Sequence, residues 1–171
     1  MEEYINIGKI VATFGISGEL IIKHALQKKA LFKKDIPVFI EEMKGAYIPY
    51  FTESSKAKNE TESYIKFEGI NSKEAAHKFI KKNVWLLEKD FRKMAGKNSF
   101  ISLLHFDLFA GKEKLGIIEK VFEQPHQVLL QVTINYKEAL IPLHEETLEK
   151  IDHAKKQVYV VLPEGLLDIY K

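Results

Sequence analysis

The chain has 171 residues, of which 46% are apolar and 11% aromatic. This composition is sufficient to form a buried core and predicts a globular protein. It contains no cysteine, which excludes disulfide frameworks, thiolate nucleophiles, thiolate zinc sites and cysteine-bound iron–sulfur clusters. No stretch approaches the roughly 20 apolar residues of a membrane span, and the N-terminus lacks a basic region followed by a long apolar run. We expect a cytoplasmic protein.

The net charge of +2 is unevenly distributed along the chain. Residues 1–95 carry a net charge of +4 and residues 96–171 a net charge of −2. A mildly basic part suits a phosphate-bearing partner and a mildly acidic part suits a basic protein. Charge differences of this size also occur in proteins without such partners.

The first half of the chain is predicted to be mostly short strands. The first two, Tyr4–Ala12 and Glu19–His24, are joined by a segment in which Gly15 and Gly18 permit the positive φ of a tight turn. Further strands are predicted at Ile36–Met43, Ala46–Thr52, Tyr64–Gly69 and Val84–Glu88, with a hairpin turn at Met43–Ala46. A basic cluster lies between the second and third strands and consists of Lys28, Lys29, Lys33 and Lys34.

One helix is predicted after Asn71, whose side chain would cap the first turn three residues ahead of Glu74. The residues on its apolar face are Ala75, Ala76, Phe79 and Ile80, and the lysines of its polar face and end are Lys73, Lys78, Lys81 and Lys82. A solvated face explains these lysines without any partner.

Residues 90–99 form a polar, glycine-containing stretch without a clear period, which predicts a linker between a domain of residues 1–89 and a second of residues 100–171. Six strands are predicted in the second domain, at Leu103–Phe109, Leu115–Glu123, Val128–Ile134, Ala139–Leu143, Leu148–Asp152 and Gln157–Leu162. Strands of this length and spacing favour a small barrel or sandwich. Asn135–Glu138 is predicted as a hairpin turn, and Pro142 predicts an edge strand or a bulge.

The sequence contains no motif that indicates catalysis or metal binding. His144-Glu145-Glu146-Thr147 lacks the second histidine of a zinc-protease helix, and the glycines and lysines of residues 111–116 do not follow the P-loop order. Ser17 lies between two glycines, but a strand follows it where a nucleophile elbow requires a helix. We therefore predict no catalytic residue, no metal site and no cofactor.

Four segments, taken in order, resemble the RimM family of ribosome maturation factors. The run IGKIVATFGISGEL from Ile7 is similar to the family's opening signature. Residues 68–76, the Leu140–Leu143 element with Ile151-Asp152, and the terminal LPEGLLD resemble its later elements. Each segment alone is weak, but four in the right order over nearly the whole chain form a specific signal.

The resemblance implies an all-β protein of two small barrels without catalytic chemistry. The first would be of the type found in elongation factors and flavin reductases, and the second a PRC barrel. Family members assist maturation of the 30S subunit head and bind ribosomal protein S-nineteen and nearby 16S rRNA. We expect these partners here, with the chain acting as a monomer. The candidate rRNA contacts are Gly15, Gly18, Lys28, Lys29, Lys33 and Lys34.

The linker departs from the family pattern. Many members have a pair of tyrosines, associated with partner binding, where the alignment places Asn98 and Ser99 here. The contact with the ribosomal protein is then expected at Phe100, His105 and Phe106, or the alignment is displaced by a few residues. Two other classes remain open: a flavin- or ligand-binding barrel protein, and a PRC-barrel adaptor for another partner.

Overall fold

The computed structural model describes residues 2–96, 99–124 and 126–171. The chain forms two compact units, of which the first ends at Ser99 and the second begins at Phe100. Both consist mainly of strands, so the predicted all-β class is confirmed. None of the helices in the described part of the chain is long and apolar enough to cross a membrane.

The first unit is built on seven strands and two helices. The strands are β1 (Tyr4–Phe14), β2 (Glu19–His24), β3 (Val38–Met43), β4 (Ala46–Tyr50), β5 (Thr52–Ala57), β6 (Glu62–Phe67) and β7 (Asn83–Leu87), and the helices are α1 (Lys73–His77) and α2 (Glu88–Met94). The strands pair in the order β4-β3-β7-β1-β2-β6-β5.

A single bent strand closes this sheet into a barrel. β4 and β5 lie at the two edges of the pairing order, yet only Phe51 separates them in the chain. Tyr50 pairs with Val38 on β3, and Thr52 pairs with Phe67 on β6. The bend is fixed by a 2.9 Å hydrogen bond from the Glu68 N–H to the Phe51 carbonyl. The seven strands are therefore a six-stranded barrel in which β4 and β5 are one strand.

The barrel core follows from alternation along the strands. Along residues 4–7 of β1 and along β2 every second residue points inward, which buries Ile5, Ile7, Leu20 and Ile22 almost completely. Burying an aliphatic side chain of this size contributes roughly 1.5–3 kcal/mol. The remaining buried apolar residues of the strands are Ile10, Val38, Phe39, Ile40, Ile65, Phe67, Val84, Leu86 and Leu87.

The predicted strand Ala46–Thr52 ends too early, because β5 continues to Ala57. Its sequence, TESSKA, has no apolar alternation, since Glu53, Ser54 and Lys56 face solvent. Pairing with β6 stabilises this segment as a strand despite its weak intrinsic preference.

The predicted cap of α1 is wrong by one residue. Ser72, not Asn71, is the N-cap, and its Oγ accepts the Ala75 N–H at 3.1 Å. Both residue types are good caps, so the sequence alone does not choose between them. Ala76 and Phe79 are fully buried as predicted, although the helix ends at His77 and the chain continues as a turn. Of the four lysines, Lys82 forms an ion pair with Glu42.

Part of the predicted linker is helical. α2 covers residues 88–94, buries Phe91 and Asp90, and has an ion pair between Glu88 and Arg92 at 3.3 Å. A seven-residue helix with only two large apolar residues, Phe91 and Met94, is too short to show a helical period in the sequence, which therefore predicted a linker. Past α2, the Gly96 N–H donates to the Leu26 carbonyl at 2.7 Å, so this segment also packs on the barrel.

The second unit contains seven strands in two sheets. They are β8 (Asp107–Ala110), β9 (Glu113–Ile117), β10 (Lys120–Gln124), β11 (Gln127–Ile134), β12 (Lys137–Leu143), β13 (Leu148–Asp152) and β14 (Gln157–Val160). One sheet has the order β10-β11-β12 and the other β13-β14-β8-β9, with β14 and β8 parallel. The core between them includes Leu108, Leu130, Val132, Ile141 and Val158.

Two predicted strands of this unit differ from the structure. The single strand Leu115–Glu123 is split at Ile118 and Glu119 into β9 and β10, which belong to different sheets. At this corner the Ile118 N–H donates to the Phe106 carbonyl and the Glu119 N–H to the Gln131 carbonyl. The predicted strand from Leu103 begins only at Asp107, because Phe100–Leu103 is a 3-10 helix.

Two turn and edge predictions in this unit are confirmed. Asn135 and Tyr136 join β11 to β12 with φ values of +48° and +64°, as a type I′ hairpin requires. β12, which contains Pro142, lies at the edge of its sheet, where the missing N–H of proline is tolerated.

Candidate functional site

The basic cluster lies on an ordered loop between β2 and β3. We call residues 25–35 the basic loop. Three of its apolar residues, Leu26, Ala30 and Phe32, are buried. Leu31 is exposed, as are the four predicted lysines, Lys28, Lys29, Lys33 and Lys34. The alternation anchors the backbone to the barrel and directs the ammonium groups to solvent. Within the described parts of the chain, none of the four forms an ion pair.

A buried chain of hydrogen bonds fixes the loop. The Ser63 hydroxyl donates to the Ala30 carbonyl at 3.0 Å, and His24 Nε2 lies 3.1 Å from the same Ser63 oxygen. Because the hydroxyl has only one proton, Nε2 must be the donor to Ser63. His24 Nδ1 is then free to accept the Leu26 N–H at 3.4 Å. This assigns the neutral Nε2–H tautomer and ties β2, β6 and the loop together.

The environment of His24 keeps it neutral. Burial lowers the pKa of this histidine from 6.5 to about 4, although the nearby Glu62 carboxylate opposes the shift. Its ring also packs edge-on against Phe32, with 6.2 Å between centroids. Protonation of Nδ1 would remove the acceptor for Leu26 and place a charge in the core, so the arrangement holds only while His24 is neutral.

Further contacts secure both ends of the basic loop. The Phe32 N–H donates to Ser55 Oγ at 3.1 Å, and the Ser99 hydroxyl donates to the Ala25 carbonyl at 2.6 Å. A Cβ at Gly96 would lie 2.6 Å from the Gln27 carbonyl oxygen, so glycine is required at this crossing. The lysines are therefore displayed on a preordered backbone.

Gly15 and Gly18 shape the turn between β1 and β2, as predicted, but for different reasons. Gly18 has φ +96° and packs so closely that a Cβ would lie 2.1 Å from the Ile70 carbonyl oxygen. Gly15 has φ +66° with open space around it, so only its backbone conformation favours glycine. The Lys73 N–H donates to the Ile16 carbonyl at 3.1 Å, which braces the turn and leaves the Ile16 side chain 85% exposed.

The predicted rRNA contacts do not lie together. The glycine turn precedes β2 and the basic loop follows it, so the six residues of β2 separate them by about 20 Å. The sequence grouped these residues, but the structure divides them into two surfaces at opposite ends of one strand.

The predicted ribosomal-protein contacts have different environments. Phe106 is buried in the core of the second unit and packs against His153, so its ring does not face solvent; its role as a contact stays a prediction. Phe100 is half-buried against the same core, whereas His105 is exposed in a turn with φ +65°. Ser99 is buried and bonded to the Ala25 carbonyl, and Asn98 lies outside the described residues.

Sequence analysis predicted no role for His24 and Ser63, which order the basic loop. They are 39 residues apart and meet only through the pairing of β2 with β6. One signal was available: His24 occupies the inward position after Leu20 and Ile22, where a polar side chain needs a buried partner.

A cleft of about 350 Å³ lies in the second unit beside the terminal segment. Ala110, Val160 and Leu167 form part of its wall, and Glu164 and Asp168 supply its carboxylates. Among the described residues of each unit, no group of three His, Asp or Glu side chains lies close enough together to hold a metal ion.

These features define a two-unit β protein with a preordered basic surface on its first unit. The description agrees with family comparisons: the RimM N-terminal domain matches residues 5–91 and the RimM PRC barrel domain matches residues 98–166. The chain belongs to the RimM family. The second unit is accordingly its PRC barrel.

Full-length relatives support this assignment. A protein from Parabacteroides distasonis is 33% identical over 98% of both chains, and one from Acetivibrio thermocellus is 31% identical over 98% of both. A protein from Christiangramia forsetii is 30% identical over 99% of this chain and 97% of its own. Each is named ribosome maturation factor RimM.

We predict that acid destabilises the first unit through His24. Since the folded pKa of about 4 lies below the unfolded value of 6.5, the unfolded chain takes up a proton first as the pH falls. The free energy of unfolding should then decrease by about 1.4 kcal/mol per pH unit in this window, or about 2 kcal/mol between pH 6.5 and about pH 5. Urea unfolding followed by the fluorescence of Trp85, the single tryptophan, measures this change.

The control for this prediction is an exposed histidine. His24→Leu should remove most of the acid sensitivity above pH 5, whereas His77→Gln on α1 should retain it. If lowering the pH decreased the free energy of unfolding of His24→Leu as much as that of the unmodified protein, His24 would not be the source of the acid sensitivity.

Proposed function

We propose that the chain is a ribosome maturation factor that binds the immature head of the 30S subunit, through 16S rRNA and ribosomal protein S-nineteen, and promotes its maturation and rRNA processing. The observation that carries the proposal is the match of both RimM domain models, in order, over nearly the whole chain. The relatives of matching length carry the name of that function. We also propose that it acts in the cytoplasm, as a monomer, without catalysis.

The basic loop supplies the RNA-binding chemistry in this proposal. Its four exposed lysines, Lys28, Lys29, Lys33 and Lys34, present ammonium groups that no described carboxylate neutralises. Phosphate contacts of this kind give affinity without reading a base sequence. Because the backbone of the loop is already ordered, binding loses less conformational entropy than it would with a flexible segment.

The second unit supplies the protein contact in this proposal. Residues 100–171 carry 8 lysines against 11 Asp and Glu, a net charge of −3, which suits a basic ribosomal protein. Of the residues predicted for this contact, His105 is the exposed one and Phe100 is partly accessible. Phe106, the third predicted residue, is buried in the free protein, so His105 and Phe100 are the first of the three to test by substitution.

The mechanism requires preference for one state of the particle. A factor that bound immature and mature subunits equally well would shift no equilibrium between them. Stronger binding to the immature head stabilises an intermediate arrangement of RNA and protein, and completion of the head releases the factor. No nucleotide is needed for this cycle.

Two alternative functions make different predictions. A flavin-binding barrel would absorb visible light after purification, whereas a maturation factor would be colourless. A PRC-barrel adaptor for another partner would not distinguish immature from mature 30S particles. The RimM matches over both domains favour the maturation factor.

We predict that the protein co-sediments preferentially with immature 30S particles. The measurement compares the bound fraction at equal concentrations of immature and mature particles, with mature 50S subunits as a control for nonspecific binding to RNA. A clear preference for the immature particle supports the proposed function. Equal binding to the immature and mature 30S particles would contradict it.

We predict that replacing the four lysines of the basic loop by alanine reduces the salt dependence of this binding. Each lost phosphate contact lowers the slope of log affinity against log salt by about 0.7–0.9, so four contacts lower it by about 3. The matched control replaces four exposed lysines of the second unit, Lys112, Lys120, Lys137 and Lys155, and should leave the slope nearly unchanged. Equal slopes for the loop variant and the unmodified protein would place the RNA contact elsewhere.

A further inference from the structure

One outer face of the first barrel combines aromatic rings and lysines. Strand register places Phe14 opposite Glu19, Ile21 opposite Tyr64 and Tyr64 opposite Lys56, all pointing away from the core. Lys9 and Lys23 continue the same side of β1 and β2. We call this set, Lys9, Phe14, Lys23, Lys56 and Tyr64, the Tyr64 face. None of its residues belongs to the predicted contacts.

Phe14 and Tyr64 form an aromatic pair on this face. Their centroids are 4.6 Å apart with 45° between the planes; Phe14 is 47% exposed and Tyr64 is half-buried. The pair is held rigidly, because Phe14 immediately precedes the turn that Gly18 and Lys73 brace. A fixed aromatic pair with one ring open to solvent is suited to stacking with a planar partner.

The arrangement of the lysines on this face lowers the stability of the fold. Lys9 and Lys23 lie directly opposite each other on paired strands, and like charges in that position are destabilising. Glu62 is opposite Lys23 on the other side; its carboxylate is ion-paired with Lys58 at 3.0 Å and also interacts with the more distant Lys23 charge. Within the described residues, Lys9, Lys23 and Lys56 form no ion pair. Such an arrangement favours an anionic partner.

A small cleft lies between the aromatic pair and β5. Its volume is about 120 Å³, and its lining residues are Glu19, Ser54, Ser55, Lys56, Tyr64 and Ile65. Ser54 and Lys56 supply hydrogen-bond donors beside the tyrosine ring. Glu19 gives one side of the cleft an acceptor, which suits the amino group of a base better than a phosphate.

We infer that the Tyr64 face binds an unpaired segment of RNA, with a base stacked on the Phe14–Tyr64 pair and its phosphates on Lys9, Lys23 and Lys56. The inference rests on the proposed function, from which it takes RNA as the partner. It adds the surface that binds the RNA and the requirement that this RNA be single-stranded. A duplex does not fit, because its bases are stacked inside the helix and unavailable to a surface ring. Binding of this kind is tolerant of base sequence.

The test uses the full chain and a fluorescein-labelled RNA of about ten nucleotides, either unstructured or annealed into a blunt duplex. Fluorescence anisotropy should show tighter binding of the single strand. Tyr64→Leu and Phe14→Leu should each weaken single-strand binding by about tenfold, the loss of one stacked base. Replacing Lys9, Lys23 and Lys56 by alanine should lower the salt slope by about 2.

The matched control is Tyr47→Leu, which removes a half-buried, outward-facing ring from β4 of the same barrel. Circular dichroism melting verifies that each variant is folded. If Tyr64→Leu does not fold, the result for Phe14→Leu decides the test. Single-strand affinity that is unaffected by Phe14→Leu, or reduced equally by Tyr47→Leu, would overturn the inference.

These results separate the inference from the proposed function. If the protein prefers immature particles but the Phe14 and Tyr64 variants bind single strands normally, the inference fails and the proposed function stands. If the variants lose single-strand binding while the protein shows no preference for immature particles, the RNA surface stands and the proposed function fails.

Discussion

Closure of the first barrel by the strand that bends at Phe51 is the constraint on which the other features of this unit depend. Because β4 and β5 are one strand, the two ends of the pairing order are joined by a continuous segment of chain, which holds β3 and β6 in place around the barrel. The first unit presents side chains on loops and on the outer face of the sheet to solvent.

The same barrel fixes the positions of the recognition elements. At one end of β2, the contact of Gly18 with Ile70 holds the turn, and at the other end His24 and Ser63 hold the basic loop. About 20 Å of paired strand keeps the two apart. An extended partner such as an RNA strand can contact both, along the sheet face between them, without reordering the protein. In the proposed function, this rigidity lets the surface lysines of a small domain act together on one RNA strand.

The sequence predicted the features that depend on local rules. Alternation predicted most strands, Gly15 and Gly18 predicted a turn, and Pro142 predicted an edge strand. It did not predict β5 or α2, because packing against neighbouring strands, rather than local pattern, stabilises both segments.

The candidate site was predictable to a smaller degree for the same reason. The lysines could be recognised as a cluster, but the sequence did not reveal which apolar neighbours anchor them or that the glycine turn lies elsewhere. The contact of His24 with Ser63 and the face shared by Phe14 and Tyr64 depend on strand register between distant segments. Burial of Phe106 likewise follows from the corner at Ile118, which no local pattern marks.

Hydrogen exchange of the full chain, free and bound to immature 30S particles, measures whether the first unit carries the RNA contacts. We expect slower amide exchange on binding in residues 25–35 and at the β1–β2 turn. Protection confined to residues 100–171 would show that the RNA contacts do not lie on the first unit.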